Sequence, residues 1–357
     1  VTGAAPSLGV LEGFYGRPYA WPERRALVER LAPAGYGFYL YAPKADELLR
    51  RRWREPFPEA RHADLAEFAA FCRARGARFG VGLSPFELYL GFDDAAKAAL
   101  KGKLAELDAL GIEDLGIFFD DMRGDIPGLA ARQVEICHWI ATRTAASRIL
   151  VCPTYYTDDP VLDRVFGARP PTYLADLGRD LDPALAIMWT GPEVCAREYS
   201  PGHLAAVARV FRRAPFLWDN YPVNDGPRMS RHLHLRAVTG RPAAIGPFLA
   251  GHAVNTASQA TLTLIPALTL AESYVAGDAY DYGAAFGRAA EAVLGPDLAA
   301  LVTRRLLLLE DVGLDGLAPE RRARMSDEFA AFDHPAAREI MAWLDDAWAF
   351  EAEAAPT

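Results

Sequence analysis

Two adjacent carboxylates, Asp120 and Asp121, end the run Leu115-Gly-Ile-Phe-Phe-Asp-Asp121. The apolar, aromatic part of that run reads as a strand buried on both faces. Carboxylates at its C-terminal end cannot belong to the same core, because burying an unpaired charge costs several kcal/mol or forces protonation. At the mouth of a barrel they make a candidate acid/base pair, since like charges at close range push their proton affinities apart. An N-cap followed by a solvated turn residue would leave the same trace. The two readings separate on whether other polar and aromatic residues gather at equivalent places along the chain.

Such places are set by the elements. Short apolar runs alternate with helical stretches, which argues for βα units and a parallel sheet. Strands are expected at Leu8–Phe14, Gly37–Tyr41, Arg78–Leu83, Leu115–Phe119, Ile149–Cys152, Ala186–Trp189, Phe216–Asp219 and Pro247–Gly251. Helices are expected over Pro22–Leu31, Ala63–Arg75, Ala95–Leu110 and His203–Arg212, where apolar residues recur at three- and four-residue spacing. Gly76 and Gly111 suit helix C-terminal caps. Eight strands are the number a (β/α)8 TIM barrel needs, and its active site lies at the C-terminal strand ends. From about Thr261 the chain is rich in Ala, Leu, Glu and Arg, with breaks at Gly295-Pro296 and Ala318-Pro319. The expected architecture is a barrel over residues 1–256 and a C-terminal α-helical region over 257–357.

Polar and aromatic residues do gather at those strand ends. The first strand leads into Glu12-Gly-Phe-Tyr-Gly-Arg-Pro18, the second into Lys44 and the fourth into the Asp pair. The fifth gives Cys152-Pro-Thr-Tyr-Tyr156, the sixth Trp189-Thr-Gly-Pro192, and the seventh Trp218-Asp-Asn220 with Asn224-Asp225. Asn255 and Gln259 follow the eighth. Singly, each has an ordinary structural explanation: a solvated loop lysine, a core tryptophan, a turn glycine. Together they suit a sugar, whose ring faces stack on aromatic groups while its hydroxyls need amide and carboxylate partners.

Composition narrows the alternatives. The chain has 357 residues, 51% of them hydrophobic, so a large core is available. A formal charge of −9 argues against nucleic acid as a partner. No apolar stretch is long enough to span a bilayer, and the opening residues carry no visible signal peptide. A cytoplasmic location is therefore expected, favoured also by Cys72, Cys137, Cys152 and Cys195, which read as buried free thiols. The seven histidines are scattered without metal spacing, and no phosphate cradle or Gly-x-Ser-x-Gly elbow occurs. No metal and no cofactor is expected. The helical region offers a possible surface for homo-oligomers.

The segments Gly9-Val-Leu-Glu-Gly-Phe-Tyr-Gly-Arg-Pro18, Tyr41-Ala-Pro-Lys44, Phe118-Phe-Asp-Asp121, Cys152-Pro-Thr154, Trp189-Thr-Gly-Pro192, Trp218-Asp-Asn220 and Asn224-Asp225 resemble glycoside hydrolase family 84. This is the family of O-GlcNAcases and bacterial β-N-acetylglucosaminidases, and the resemblance runs from Leu8 to Gln259. It implies a retaining exo-β-N-acetylglucosaminidase working by substrate-assisted catalysis through an oxazoline, O-GlcNAcase-like in substrate. Asp120 would orient the acetamido group, Asp121 would be the general acid and base, and Tyr156 would donate to the acetamido oxygen. Trp218 and Asn220 would surround that group, while Gly13, Lys44, Asp225 and Asn255 would bind sugar hydroxyls. Two positions depart from the family pattern: Thr256 stands where a proline commonly follows the asparagine, and Tyr155 where animal members carry an acid. One alternative is a hydrolase of glycans, hyaluronan-type polymers or cell-wall fragments on the same fold. Another, of a different class, is a carbohydrate-binding barrel without turnover.

Overall fold

The computed structural model describes residues 6–348, so the opening residues and the last part of the expected helical region lie outside it. Eight parallel strands close into a barrel in chain order, β1 pairing with β2 on one side and β8 on the other. They are β1 (Leu8–Glu12), β2 (Tyr36–Tyr41), β3 (Arg78–Leu83), β4 (Asp114–Phe118), β5 (Arg148–Cys152), β6 (Ala186–Trp189), β7 (Phe216–Asp219) and β8 (Gly251–Asn255). Around them run α1 (Trp21–Leu31), α2 (Glu59–Ala74), α3 (Asp94–Ala109), α4 (Leu129–Ala141), the short α5 (Val161–Val165), α6 (Tyr173–Asp180) and α7 (Pro201–Phe211). This is the (β/α)8 TIM barrel that the alternation predicts. Gly76 and Gly111 take φ of +73° and +70° past the ends of α2 and α3, the left-handed conformation that ends a helix cheaply when there is no Cβ.

Seven strands fall where the sequence places them, three with the expected ends and four with ends shifted by one or two residues. The eighth does not. Pro247–Gly251 was expected, but Ala243–Phe248 forms a 3₁₀ turn and the strand is Gly251–Asn255. Proline has no N–H to give a central ladder. The true strand carries His252 and Asn255, so its polarity hides it. Both are buried, and His252 Nε2 lies 3.0 Å from Asp219 Oδ2 on β7.

The two ends of the barrel are built differently. At the N-terminal end Asp114 accepts from Arg78 Nε and Arg148 Nε, each at 2.9 Å, which ties β3, β4 and β5 together. Towards the other end Phe118 fills the interior beneath Trp218, their ring centroids 5.2 Å apart. The lower end is thus closed by ion pairs and the upper end is left for side chains to converge.

After β8 the chain continues into α8 (Ala260–Ala276), which packs against α1 and completes the helical ring. Then come α9 (Tyr282–Leu294), α10 (Pro296–Leu306), a π-helical turn at Leu307–Val312, α11 (Pro319–Ala330) and α12 (Pro335–Leu344). Glu339 of α12 accepts the N–H groups of Thr261 and Leu262 at 2.8 and 3.0 Å, satisfying the start of α8. One hydrophobic core runs without interruption from Leu8 to Leu344. No helix of the described residues is long and apolar enough to cross a membrane.

Candidate active site

All nine residues singled out from the sequence line one cavity of about 170 Å³ at the C-terminal end of the barrel: Gly13, Lys44, Asp120, Asp121, Tyr156, Trp218, Asn220, Asp225 and Asn255. The cavity falls below the roughly 300–1,000 Å³ of pockets that enclose drug-sized ligands. It is a small site.

The carboxylate pair projects from the end of β4 in two directions. Asp120 is buried and ion-paired to Lys44 Nζ from the end of β2. Its other oxygen, Oδ1, is buried with no hydrogen-bond partner among the described residues, in a residue that lines the cavity. Burial pushes the Asp120 carboxyl up; the Lys44 charge pulls it back and the charge on Asp121 adds to the rise. Asp121 sits at φ +55°, in the left-handed region that costs a non-glycine residue energy. Its side chain meets two hydroxyls. Tyr15 donates to Oδ2 at 2.7 Å and Tyr156 to Oδ1 at 3.0 Å, while Lys44 Nζ lies 3.9 Å from Oδ2. Burial, reinforced by the Asp121 charge, holds both phenols far above their ordinary range, so each remains a donor.

A belt of amides links three loops to the end of β8. Asn255 Oδ1 accepts from the Gly13 N–H at 3.1 Å and its Nδ2 donates to Asn220 Oδ1 at 2.8 Å. Asn220 Oδ1 also accepts from Trp218 Nε1 at 3.0 Å, and its Nδ2 donates to the Val194 carbonyl at 2.8 Å. Both acceptor sites of Asn220 Oδ1 are therefore filled, and what it has left to offer is an N–H. Gly13 is required here by contact: a Cβ at that position would stand 2.7 Å from Trp218 Cζ2. Asp225 accepts the Tyr15 N–H at 2.8 Å. Burial pushes its carboxyl up to about 6, against the Tyr15 N–H and with help from the Asp121 charge.

Beneath this surface lies a layer that sequence reasoning missed. Asp219 accepts Arg241 Nη2 at 2.7 Å and Nε at 3.0 Å, and His252 approaches it from β8. Burial alone would raise its carboxyl, but Arg241 and His252 outweigh that and hold it well below the usual range. Asp219 separates Trp218 from Asn220, so this network fixes both. Glu12 likewise is buried between β1 and α1, held by Arg24 through two 2.8 Å bonds and by Tyr39 at 2.7 Å. Tyr15 lies within the Gly9–Pro18 segment, one residue past the expected end of the first strand, and that position is the signal that could have found it. Cys152 and Cys195 also line the cavity; burial pushes the Cys195 thiol up to about 12.

A parallel barrel that gathers paired carboxylates, amides and aromatic rings around one cavity is an arrangement suited to binding a sugar. The family model for beta-N-acetylglucosaminidase matches residues 8–305. Mouse protein O-GlcNAcase is 30% identical over 276 residues, covering 74% of this chain and 30% of the mouse protein, and the rat protein matches to the same extent. A solved aspartate-to-asparagine mutant of Thermobaculum terrenum O-GlcNAc hydrolase superposes with a TM-score of 0.79 at 25% identity, over 95% of this chain and 80% of that one. The chain belongs to the beta-N-acetylglucosaminidase family, and it spans under a third of the length of its mouse and rat relatives.

Proposed function

We propose that the protein removes terminal β-linked N-acetylglucosamine with retention of configuration, the substrate's own acetamido oxygen acting as nucleophile. The observation that carries this reading is the division of labour within the pair. Asp120 offers a buried, unpartnered acceptor beside Lys44, suited to receive an acetamido N–H. Asp121 is turned outwards, where it also borders a second cavity of about 300 Å³ lined by Phe86, Met122, Arg123 and Phe166, a place for the departing group.

In the first step the acetamido oxygen attacks C1 as the C1–O bond breaks, and the proton of Asp121 passes to the leaving oxygen. Asp120 accepts the N–H and offsets the charge of the forming oxazoline. Asp121, now a carboxylate, takes a proton from water, whose oxygen attacks C1 and reopens the ring. Tyr156 donates to the acetamido carbonyl and Asn220 gives its spare N–H to the same group. Trp218 supplies the apolar face. Lys44, Asp225, Asn255 and the Gly13 carbonyl take the hydroxyls, the Gly13 N–H being already engaged. The relatives named O-GlcNAcase support serine- or threonine-linked N-acetylglucosamine on protein as the substrate.

Successive fluorination of the N-acetyl group withdraws charge from the attacking oxygen and lowers kcat/KM in order. Asp121→Asn lowers turnover on alkyl glycosides by about 10²–10⁴-fold and much less on nitrophenyl glycosides, whose leaving group needs less protonation. A flat fluorination series, or a trapped glycosyl ester on Asp120, would overturn the mechanism.

A further inference from the structure

We infer that Asn224 is a positioning residue: gripped by Gln259, its side chain fixes Asp225 relative to Asn255 and so sets the part of the pocket that takes the sugar hydroxyls. This rests on the reading of Asp225 and Asn255 as hydroxyl-binding residues. Asn224 and Gln259 both stand in the polar runs after the seventh and eighth strands, yet neither lines the cavity. Each is buried, only 1% exposed.

The Asn224 amide is fully engaged with the protein. Its Oδ1 accepts the Ser258 N–H at 3.0 Å, and its Nδ2 donates to Gln259 Oε1 at 2.9 Å and to the His232 carbonyl at 3.1 Å. The first two bonds cross from the loop after β7 to the segment between β8 and α8. The third closes the ends of the 224–232 segment, within which Asp225 lies. An amide nitrogen carries two hydrogens, so this donor has none left for a ligand. Towards the cavity, Asp225 accepts the Tyr15 N–H and Asn255 the Gly13 N–H. Those two residues hold one loop after β1 at points two positions apart, and Asn224 ties together the elements that carry them. Three strand ends are thereby closed into a triangle. Loosening its Asn224 corner frees Asp225 most, because Asp225 is the next residue in the chain while Asn255 is also tied to Asn220.

The partner of Asn224 is a poor source of stability. Gln259 Nε2 is buried and has no hydrogen-bond partner among the described residues. A buried donor left unpaired offsets what the other end of the same amide gains, and an apolar side chain of similar shape would serve the core as well. What glutamine adds is an acceptor held against Asn224 Nδ2, and the direction that this gives the Asn224 side chain.

The test pairs Gln259→Met with Asp225→Ala in the full 357-residue chain. Methionine keeps the length of glutamine, removes the acceptor and removes the unpaired N–H groups with it. The melting temperature should shift by less than about 3 °C, while kcat/KM on an alkyl β-N-acetylglucosaminide falls roughly tenfold, the equivalent of one hydrogen bond. Glycosides lacking the 3-, 4- or 6-hydroxyl locate the effect. Asp225→Ala loses its penalty on the analogue whose hydroxyl it holds, and Gln259→Met loses its penalty on that same analogue. In the double variant kcat/KM stays within about twofold of Asp225→Ala alone, whereas independent sites would multiply their losses. Asn224→Ala removes all three bonds and repeats the pattern with a larger loss; if it does not fold, Gln259→Met decides alone. Unchanged kcat/KM in Gln259→Met, multiplied losses in the double variant, or a Gln259→Met penalty equal on every analogue would each overturn the inference. Failure of the underlying reading is distinct: Asp225→Ala would itself then cost the same on every analogue.

Discussion

Each carboxylate of the site is set by its immediate partners. Asp120 faces Lys44 and keeps one oxygen unpartnered, Asp121 meets two hydroxyls, and Asp225 accepts the Tyr15 N–H. Burial pushes the Asp225 carboxyl up to about 6. Above that pH it is charged and accepts charge-assisted bonds from sugar hydroxyls, which are about twice as strong as neutral ones. Below it the carboxyl protonates and that advantage goes. The affinity of a non-titrating N-acetylglucosamine analogue should therefore weaken roughly tenfold as pH falls through 6, measured by calorimetry. Asp225→Asn should bind weakly and without that slope; a slope that survives the substitution would point to another group.

At the scale of the element, polar groups buried behind the site hold the strands in place. Arg241 reaches from the loop after β7 to Asp219, and His252 joins them from β8. Removing one partner from a buried pair leaves an uncompensated charge, so Arg241→Ala should cost about 3–5 kcal/mol in urea unfolding. A loss below about 1 kcal/mol, the level of a surface pair, would show that the layer is not what fixes Trp218 and Asn220. Glu339 does a comparable job for α8. Burial pushes its carboxyl up to about 7, opposed by the two N–H groups it accepts. A carboxyl raised in the fold binds its proton more tightly there than in the unfolded chain. Its contribution is present in full below the ordinary glutamate range and is lost as pH rises through 7. Thermal stability should fall across that interval, and Glu339→Gln should flatten the fall, as read by melting temperatures at several pH values.

Across the whole molecule, barrel and helices share one core. The boundary expected at residue 256 falls between β8 and α8, yet α8 packs on α1 and Tyr36 of β2 donates to the Ala267 carbonyl at 2.7 Å. A chain ending at 256 would expose one side of the helical ring, including the faces of α8 neighbours α1 and β2. We expect residues 6–256 to show no cooperative thermal transition, whereas 6–348 unfolds in one. A sharp transition in the shorter chain would establish an independent barrel.

Much of the site was legible because its signals are local. A strand buried on both faces writes a continuous apolar run, and the residue types that bind sugars stand directly after such runs. Those two facts located the first seven strands and pointed to their ends, while the resemblance to a known family selected the nine residues, from Gly13 to Asn255, that line the cavity. They also exposed the Asp pair, because two charges after five buried residues have no place in a core. The eighth strand was hidden because its polar residues are satisfied from afar: His252 by Asp219, 33 positions away, and Asn255 by Gly13, 242 away. The same holds for the donor pair on Asp121, since Tyr15 lies 106 residues from it and Tyr156 lies 35. A periodic pattern records which face of an element is buried. It does not record which hydrogen bonds close between elements, because those depend on barrel closure bringing distant strand ends within about 3 Å of one another. The sequence by itself therefore determined the barrel and the kinds of group at its mouth, while only the tertiary structure decided which oxygen each hydroxyl holds.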